Sequence, residues 1–480
     1  MDSQRNRNHH TWRRVRIVLL SIACLSCHAW SLAETKTRNV VLILIDDLGW
    51  RDLSCYGSAY YQTPNIDRLA QEGVRFTNGY AACNVCSPTR ASILTGKYPA
   101  RLMLTQWLPA GRWSATQHRM REGRYMGHLP LEEVTIAETL REEGYRTAFM
   151  GKWHLGTETY YFPEHQGFDV NVAGRDYGAP GHYFYPFEGS WTIPTTGKKL
   201  VKDNPIGGTE GDYLPDLLAE RAAAFIRDNA EHPFFLMLSH YAVHAPLQGK
   251  PEPRARYEAI PSEDRQGPPD YAAMVESIDD SVGTVLQALH ESKLSQNTLV
   301  LLTSDNGGYA RATNNAPLRA NKGTNYEGGL RVPFILRWPE GGRSAVVCET
   351  PVITNDLYPT ILDALDLPLR PHQHVDGHSL LPLLEEDGDA PKRALYWHYP
   401  HYNRHPHSFP SGVIREGDWK LIQNYETNAI QLYNLDQDIG ETENLAASQP
   451  ERASRMLRRL SDWREVVGAD PMRPNPQFAP

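Results

Sequence analysis

Five short apolar, β-branched runs set the pattern of this chain: residues 40–45, 147–150, 234–238, 299–303 and 332–337. None alternates apolar with polar positions, so none reads as a strand with one wet face. Strands buried on both faces of a parallel sheet read this way. Helical signals separate the runs. Residues 64–72 open on Pro64 and stop before Gly73, and Thr135 with Glu138 makes a capping box for a helix that ends at Gly144. Longer helices are predicted over 214–229 and 271–294; in the second, Met274, Ile278, Val282, Val285 and Leu289 share one face. Strands alternating with helices predict a layered α/β domain. The character changes after the Pro- and Asp-rich residues 367–391. Shorter alternating segments at 412–422 and 430–435 then precede a final helix over 451–467, which predicts a small α+β subdomain.

With 40% hydrophobic and 22% charged residues in 480, the chain can bury a sizeable core, which excludes wholesale disorder. Six Cys are too few for a disulfide scaffold. Lys+Arg 49 against Asp+Glu 57, with no long basic run, excludes nucleic acid as a partner. Arg5, Arg7, Arg13, Arg14 and Arg16 precede the apolar residues 17–30, and Ser31-Leu32-Ala33 offers small residues for cleavage. Residues 1–33 therefore read as an export signal whose apolar stretch is too short to span a bilayer comfortably, and the protein is expected to be periplasmic or secreted. An uncleaved anchor and lipidation at Cys24 or Cys27 are the alternatives. Without 1–33, which hold five Arg and one Asp, 44 basic residues face 56 acidic ones, a net charge of −12. The expected organisation is a signal peptide over 1–33, a catalytic α/β domain over 34–390 and an α+β subdomain over 391–480. A bridge between Cys55 and Cys83 is left open.

Open parallel sheets bind ligands at the carboxyl ends of their strands. The residues that follow four of the runs are Asp46-Asp47, Gly151-Lys152-Trp153-His154, His240 with His244-Ala245-Pro246, and Asp305-Asn306-Gly307-Gly308. Each alone has a bland reading, since paired Asp often cap a turn and a single His is often a hydrogen-bonded loop residue. Their recurrence at one edge favours a shared site. Asp46, Asp47, Asp305 and Asn306 are hard oxygen donors without a zinc-type Cys/His cluster, so the expected ion is Ca²⁺ or Mg²⁺, with Ca²⁺ preferred. Cys83-Asn84-Val85-Cys86 has redox-pair spacing, but nothing else suggests a dithiol exchanger. Pro88, taken as the first helical position, and Gly96 place a short helix directly after Cys86.

The run Cys86-Ser87-Pro88-Thr89-Arg90, followed by Leu94-Thr95-Gly96, resembles the signature by which type I sulfatases mark a Cys for oxidation to formylglycine. Other motifs of that family recur in order across nearly the whole chain after residue 33: Asp46-Asp47, Gly151 to His154, His244-Ala245-Pro246, Ser304 to Gly307, and Asn321-Lys322-Gly323 with Tyr326-Glu327-Gly328-Gly329. The resemblance implies an alkaline phosphatase-like fold, a large mixed, mostly parallel sheet sandwiched by helices with a smaller C-terminal subdomain. It implies a Ca²⁺ ion held by Asp46, Asp47, Asp305, Asn306 and oxidised Cys86, and an oxidising maturase as a partner. It further implies that hydrated formylglycine attacks sulfur, with Arg90 and Lys97 on its hydroxyls and His154 as elimination base. Lys97, Lys152 and Lys322 would meet the sulfate, and His244 with Lys322 the leaving oxygen. The expected substrate is a sulfated saccharide: residues 63–68 and 97–101 look most similar to bacterial polysaccharide sulfatases near the galactosamine sulfatases, which implies a galactose or N-acetylgalactosamine sulfate.

Segments 101–124, 160–211 and 396–407 carry no generic motif and are expected to shape substrate choice. Within the last, His398 and His401 are candidate sugar contacts, with His405 and His407 beside them, and a solvated His-rich loop is the bland alternative. Two other functions compete. A sibling phosphohydrolase would use unmodified Ser or Thr and a richer zinc set, against which Cys86 argues. A non-catalytic glycan binder would not need His154 and His244 together with the metal ligands.

Overall fold

A computed structural model describes residues 39–109, 111–193, 197–338, 342–385 and 392–478, so the expected signal peptide lies outside the described residues. Strand Asn39–Ile45 is buried along its whole length. It pairs in parallel with Thr298–Ser304 on one side and Phe234–Ser239 on the other. Burial of both faces explains the missing alternation: Val41, Ile43 and Ile45 pack beneath helices Leu214–Asp228 and Pro269–Glu291. Val40, Leu42 and Leu44 pack on the opposite layer with Ala91, Ile93, Ile136 and Leu140. At about 1.5–3 kcal/mol per fully buried aliphatic side chain, this strand anchors both layers.

The main sheet has eight strands in the order Val346–Cys348, Val74–Phe76, Phe334–Arg337, Thr298–Ser304, Asn39–Ile45, Phe234–Ser239, Arg146–Gly151, Val170–Val172. Four of the five predicted runs are parallel neighbours at its centre, and the fifth, Phe334–Arg337, runs antiparallel to Thr298–Ser304. Residues 305–333 contain no crossover back to the amino edge of the sheet; their one helix is the four-residue Glu327–Leu330. The chain therefore re-enters the sheet from the edge at which it left. Helix boundaries follow the sequence signals: Pro64–Gln71, and Ile136–Glu142 with both halves of its capping box formed at Thr135 and Glu138. Two helices differ: Pro269–Glu291 begins two and ends three residues earlier than the predicted 271–294, and the other shift is at Cys86. The helix after Val85 is Cys86–Thr95, so Pro88 stands at its third position rather than its first, and Gly96 at φ +68° ends it.

Beyond residue 391 the chain forms a four-stranded antiparallel sheet of Ala394–Tyr399, Ser411–Glu416, Trp419–Asn424 and Ile430–Asn434. Helix Pro450–Val466 covers one face through Ala453, Met456 and Leu460, packed with Ile414, Leu421 and Leu432. Through the other face Val413, Ile422 and Tyr433 meet Tyr80, Tyr98 and Leu330 of the large layer. The strand Ala394–Tyr399 absorbs the beginning of a segment expected to shape substrate choice. Among the described residues no helix is long and apolar enough to cross a membrane, and Cys55, Cys83, Cys86 and Cys348 are free thiols.

Candidate active site

The central strands deliver Asp46-Asp47, Lys152, His154, His244, Asp305 and Asn306 to one edge of the sheet, and helix Cys86–Thr95 brings its first residue to the same place. Ligand atoms of Asp46, Asp47, Cys86 and Asp305 lie within 4.8 Å of one another, all buried. Asp46 Oδ2 accepts from Lys152 Nζ at 2.6 Å, and Asp47 Oδ1 accepts from Lys322 Nζ at 2.5 Å and Asn306 Nδ2 at 2.8 Å. Asp305 Oδ2 takes Arg90 Nε and Nη2 at 2.9 and 2.7 Å, while Arg90 Nη1 donates at 2.7 Å to the Lys152 carbonyl and to Ser239 Oγ. Cys86 Sγ stands 3.4 Å from Lys322 Nζ and 3.7 Å from Asp46 Oδ1. Three carboxylates thus face three cations.

Burial raises Asp46 well above the usual carboxylate range despite Lys152. Asp47 stays below that range, because Lys322 and then His244 outweigh its burial. Burial, only partly offset by Lys152 and Lys322, pushes the Cys86 thiol up to about 12, so the unmodified side chain holds its proton at neutral pH. His154 Nε2 lies 2.5 Å from the Leu108 carbonyl, which can only accept, so this nitrogen carries the hydrogen and Nδ1 presents a lone pair. That Nδ1 is buried without a partner. His244 Nδ1 likewise donates to the Ala245 carbonyl at 2.7 Å, and its Nε2 stands 3.7 Å from Asp47 Oδ2. Burial and Lys322 push His244 down to about 3. Lys322 keeps its proton far above the usual range, since Asp47 outweighs burial.

Asp47 and His154 both sit at positive φ, +64° and +61°. A non-glycine residue held there costs on the order of 1–3 kcal/mol, a cost seen most often at functional sites. Gly178 packs so close to His154 that a Cβ would lie 2.5 Å from Cε1 of the ring. A buried Asn306 Oδ1 without a partner, beside three carboxylates, is the acceptor set of a hard divalent cation, so the residues present fit Ca²⁺.

Asp47, Cys86, His154, His244 and Lys322 form the floor of a cavity of about 510 Å³, and Asp46, Asp305, Arg90 and Lys152 are buried outside its lining. Its walls come from the segments without motifs: Trp107 and Arg112 from the first, Tyr177, Trp191 and Lys202 from the second, Asn403, Arg404 and His405 from the third, and Tyr309 and Arg311 from the loop after the Asp305 strand. Three predicted site residues are not brought there. Lys97 follows a ten-residue helix, which at about 1.5 Å per residue sets it about 15 Å beyond Cys86, and its Nζ pairs with Glu133 at 2.6 Å. His398 is a strand residue whose ring meets Tyr425 Oη at 2.6 Å and the Asp470 carbonyl at 3.1 Å. His401 is fully buried, with Nε2 2.8 Å from Thr105 Oγ1. Of the four candidates, His405 lines the cavity. His240, at the same sheet edge, turns instead to Ser281 of a covering helix at 2.9 Å. The wall residues that sequence reading missed carry no signal beyond lying in long segments that the generic motifs do not claim; Trp191 and Lys202 sit there in a short hairpin.

Residues 38–367 match the family model described as Sulfatase, and residues 320–465 match one described as N-sulphoglucosamine sulphohydrolase, C-terminal. A "Sulfatase" of Formosa agariphila is 34% identical, covering 90% of this chain and 91% of its own. Human arylsulfatase A is 33% identical over 81% of this chain and 74% of its own. Human N-acetylgalactosamine-6-sulfatase is 32% identical over 72% of this chain and 65% of its own. The crystal structure of Ps i-CgsB in complex with k-i-k-neocarrahexaose superposes with a TM-score of 0.73 at 31% identity, covering 89% of this chain and 93% of that one.

Proposed function

The chain belongs to the sulfatase family of sulfuric ester hydrolases, and from that premise we propose that it removes O-sulfate from a galactose or N-acetylgalactosamine unit of a sulfated glycan. The observation that carries the reading is Cys86 at the head of its helix, in the signature Cys86-Ser87-Pro88-Thr89-Arg90, within reach of three carboxylates and Lys322. The sugar rests on a relative named N-acetylgalactosamine-6-sulfatase and on a structural neighbour complexed with a neocarrahexaose.

Asp46, Asp47, Asp305, Asn306 and residue 86 would hold Ca²⁺, which supplies a positive centre for a sulfate oxygen. Oxidation of Cys86 to formylglycine, the work of a maturase, supplies a hydrated aldehyde that can attack sulfur and later expel sulfate without a trapped ester. Around these groups the chain's own residues divide the remaining work. Arg90 locks Asp305 and the Lys152 carbonyl in place, which orients the carboxylate edge. Lys152 and Lys322 set ammonium groups against the charge that spreads over the sulfate. His154, with Nε2–H tied to the Leu108 carbonyl, keeps Nδ1 as the lone pair that removes a proton. His244 and Lys322 meet the leaving oxygen, and Lys322 is the member of that pair holding its proton at neutral pH. Export through residues 1–33 completes the proposal and places this chemistry in the periplasm or medium.

The test is the mass of the tryptic peptide spanning residues 76–90 from protein made in its native host, with and without a thiol-alkylating reagent. A lighter residue 86, without sulfur and inert to the reagent, is the expected result. An intact, alkylatable Cys86 in protein that turns over sulfate esters would overturn the proposed nucleophile. A screen of sulfated monosaccharides then tests the sugar, with the galactose series expected to lead.

A further inference from the structure

Above the catalytic floor the cavity is lined by more positive charge than one sulfate ester needs. Lys322 lines the floor, yet Arg112, Lys202, Arg311 and Arg404 also belong to the lining. Among the described residues of the lining the sole carboxylate is Asp47, which is committed to Lys322. These cations therefore have no acidic partner in the wall. Lys202 donates to the Pro180 carbonyl at 3.2 Å; Arg112 is placed differently. Its guanidinium lies 4.8 Å from the Trp107 ring centroid and 5.7 Å from that of Trp191, and the two rings are 6.1 Å apart. Both rings lie on one side of the guanidinium, and a cation–π contact of this kind leaves its N–H groups without a protein acceptor. The buried Nη1 has no hydrogen-bond partner, and Arg404 adds repulsion to burial, lowering the Arg112 pKa. Both unfavourable terms are relieved by an oxyanion in the plane of the fork. The Trp rings beside it offer flat apolar surface of the kind that covers a pyranose ring.

Resting on the sulfatase reading above, we propose that the substrate is a doubly anionic saccharide whose second anionic group, a sulfate ester or a uronate carboxylate, is bound by Arg112 beside Trp107 and Trp191. The wall then selects for a neighbouring charge, while the floor carries out the same hydrolysis on any sulfate ester that reaches it.

Rapid-mixing tryptophan fluorescence of the intact protein reads binding at this wall before turnover consumes the ligand. Three ligands are compared: a neutral galactosamine disaccharide bearing one sulfate, the same disaccharide with a second sulfate, and one with a uronate replacing the neutral sugar. Wild type is expected to bind one dianionic ligand about 10- to 100-fold more tightly than the monosulfate, the range of a charge-assisted hydrogen bond. Whichever ligand gains identifies the anion. In Arg112→Met the ratio should fall toward one, and Arg112→Lys, which keeps the charge but loses the fork, should fall between. Equal binding of mono- and dianionic ligands by wild type, or a preference that survives in Arg112→Met, would overturn the inference. Turnover of nitrophenyl sulfate by wild type is scored separately. Turnover without a dianion preference sinks the second-anion site alone, whereas an oxidised residue 86 with no turnover of any sulfate ester sinks the sulfatase reading.

Discussion

The cluster of Asp46, Asp47 and Asp305 and the cluster of Glu327 and Glu441 both bury carboxylates against lysine and arginine, but only the first reaches the cavity, through Asp47. Glu327 accepts from Tyr80 Oη at 2.6 Å, Arg331 Nε at 2.8 Å and Lys420 Nζ at 2.9 Å. Glu441 accepts the Glu327 backbone N–H at 2.7 Å and lies 2.9 Å from Lys420. Lys420 comes from the small antiparallel sheet and Glu327 from the large layer, so this second cluster is a joint between them. Both clusters keep atoms without a hydrogen-bond partner, Asn306 Oδ1 and His154 Nδ1 in the first and Glu441 Oε1 in the second, but Glu441 Oε1 lies 2.9 Å from the Lys420 ammonium and outside the lining of the cavity. Charge burial alone therefore does not mark a reacting site; unfilled bonding capacity beside open volume does.

Replacing Asp46 with Ala should separate the two clusters most sharply. Loss of several kcal/mol of charge stabilisation predicts a fall in kcat/KM of about 1000-fold or more, together with loss of any Ca²⁺-dependent rise in Tm. Activity and Ca²⁺ response both at wild-type levels would move the metal elsewhere. Replacing Glu327 with Gln breaks a buried pair and leaves Lys420 and Arg331 short of a carboxylate. The expected cost is about 3–5 kcal/mol in urea unfolding, with kcat of the folded fraction affected far less than in Asp46→Ala. A reversed ranking would make the joint part of the catalytic machinery.

A smaller effect concerns pH. Burial pushes Glu441 up to about 7, because Lys420 is shared with Glu327, and Glu327 remains ionised. A carboxyl raised from 4.5 contributes stability that is full below about 4.5 and is lost as pH rises through about 7. The Tm of wild type minus that of Glu441→Gln should accordingly fall between pH 5 and pH 8; a difference that grows over this window would contradict the sharing. The smallest expected effect is that of Lys97→Met. With Nζ on Glu133 outside the cavity, kcat on nitrophenyl sulfate should change by less than about threefold, within the range of an ordinary surface substitution. A loss comparable to that of Asp46→Ala would restore Lys97 to the floor.

Much of the first cluster was legible because its signals are local. Asp46-Asp47 and Asp305-Asn306 directly follow fully buried strands, and a strand's carboxyl end is where an α/β sheet exposes its loops. Cys86 and Arg90 share one turn of one helix, so their joint appearance required no long-range knowledge. The walls were not legible in the same way. Trp107, Arg112 and Arg404 come from loops and Trp191 from the short hairpin of Gly189–Thr192 and Lys199–Lys202, in three segments far apart in sequence that tertiary packing brings to one wall. His398 and His401 show the converse, since their residue type suited a sugar contact while a strand and Thr105 had already used them. Glu327 lies inside a motif that marks the family, yet its carboxylate serves the joint.

The order of strands and helices, the acids at their ends and the Cys86 signature were determined by the sequence itself, because hydrophobic period, caps and turns act between residues a few positions apart. Which lysines reach the first cluster was decided only by the tertiary structure. Lys152 and Lys322 stand 106 and 275 positions from the aspartates they neutralise, whereas Lys97, much nearer Cys86 in the chain, is carried away by a rigid helix. Separation along the chain says nothing about distance once the sheet has folded, and an ion pair forms only where packing brings two charges within a few ångströms.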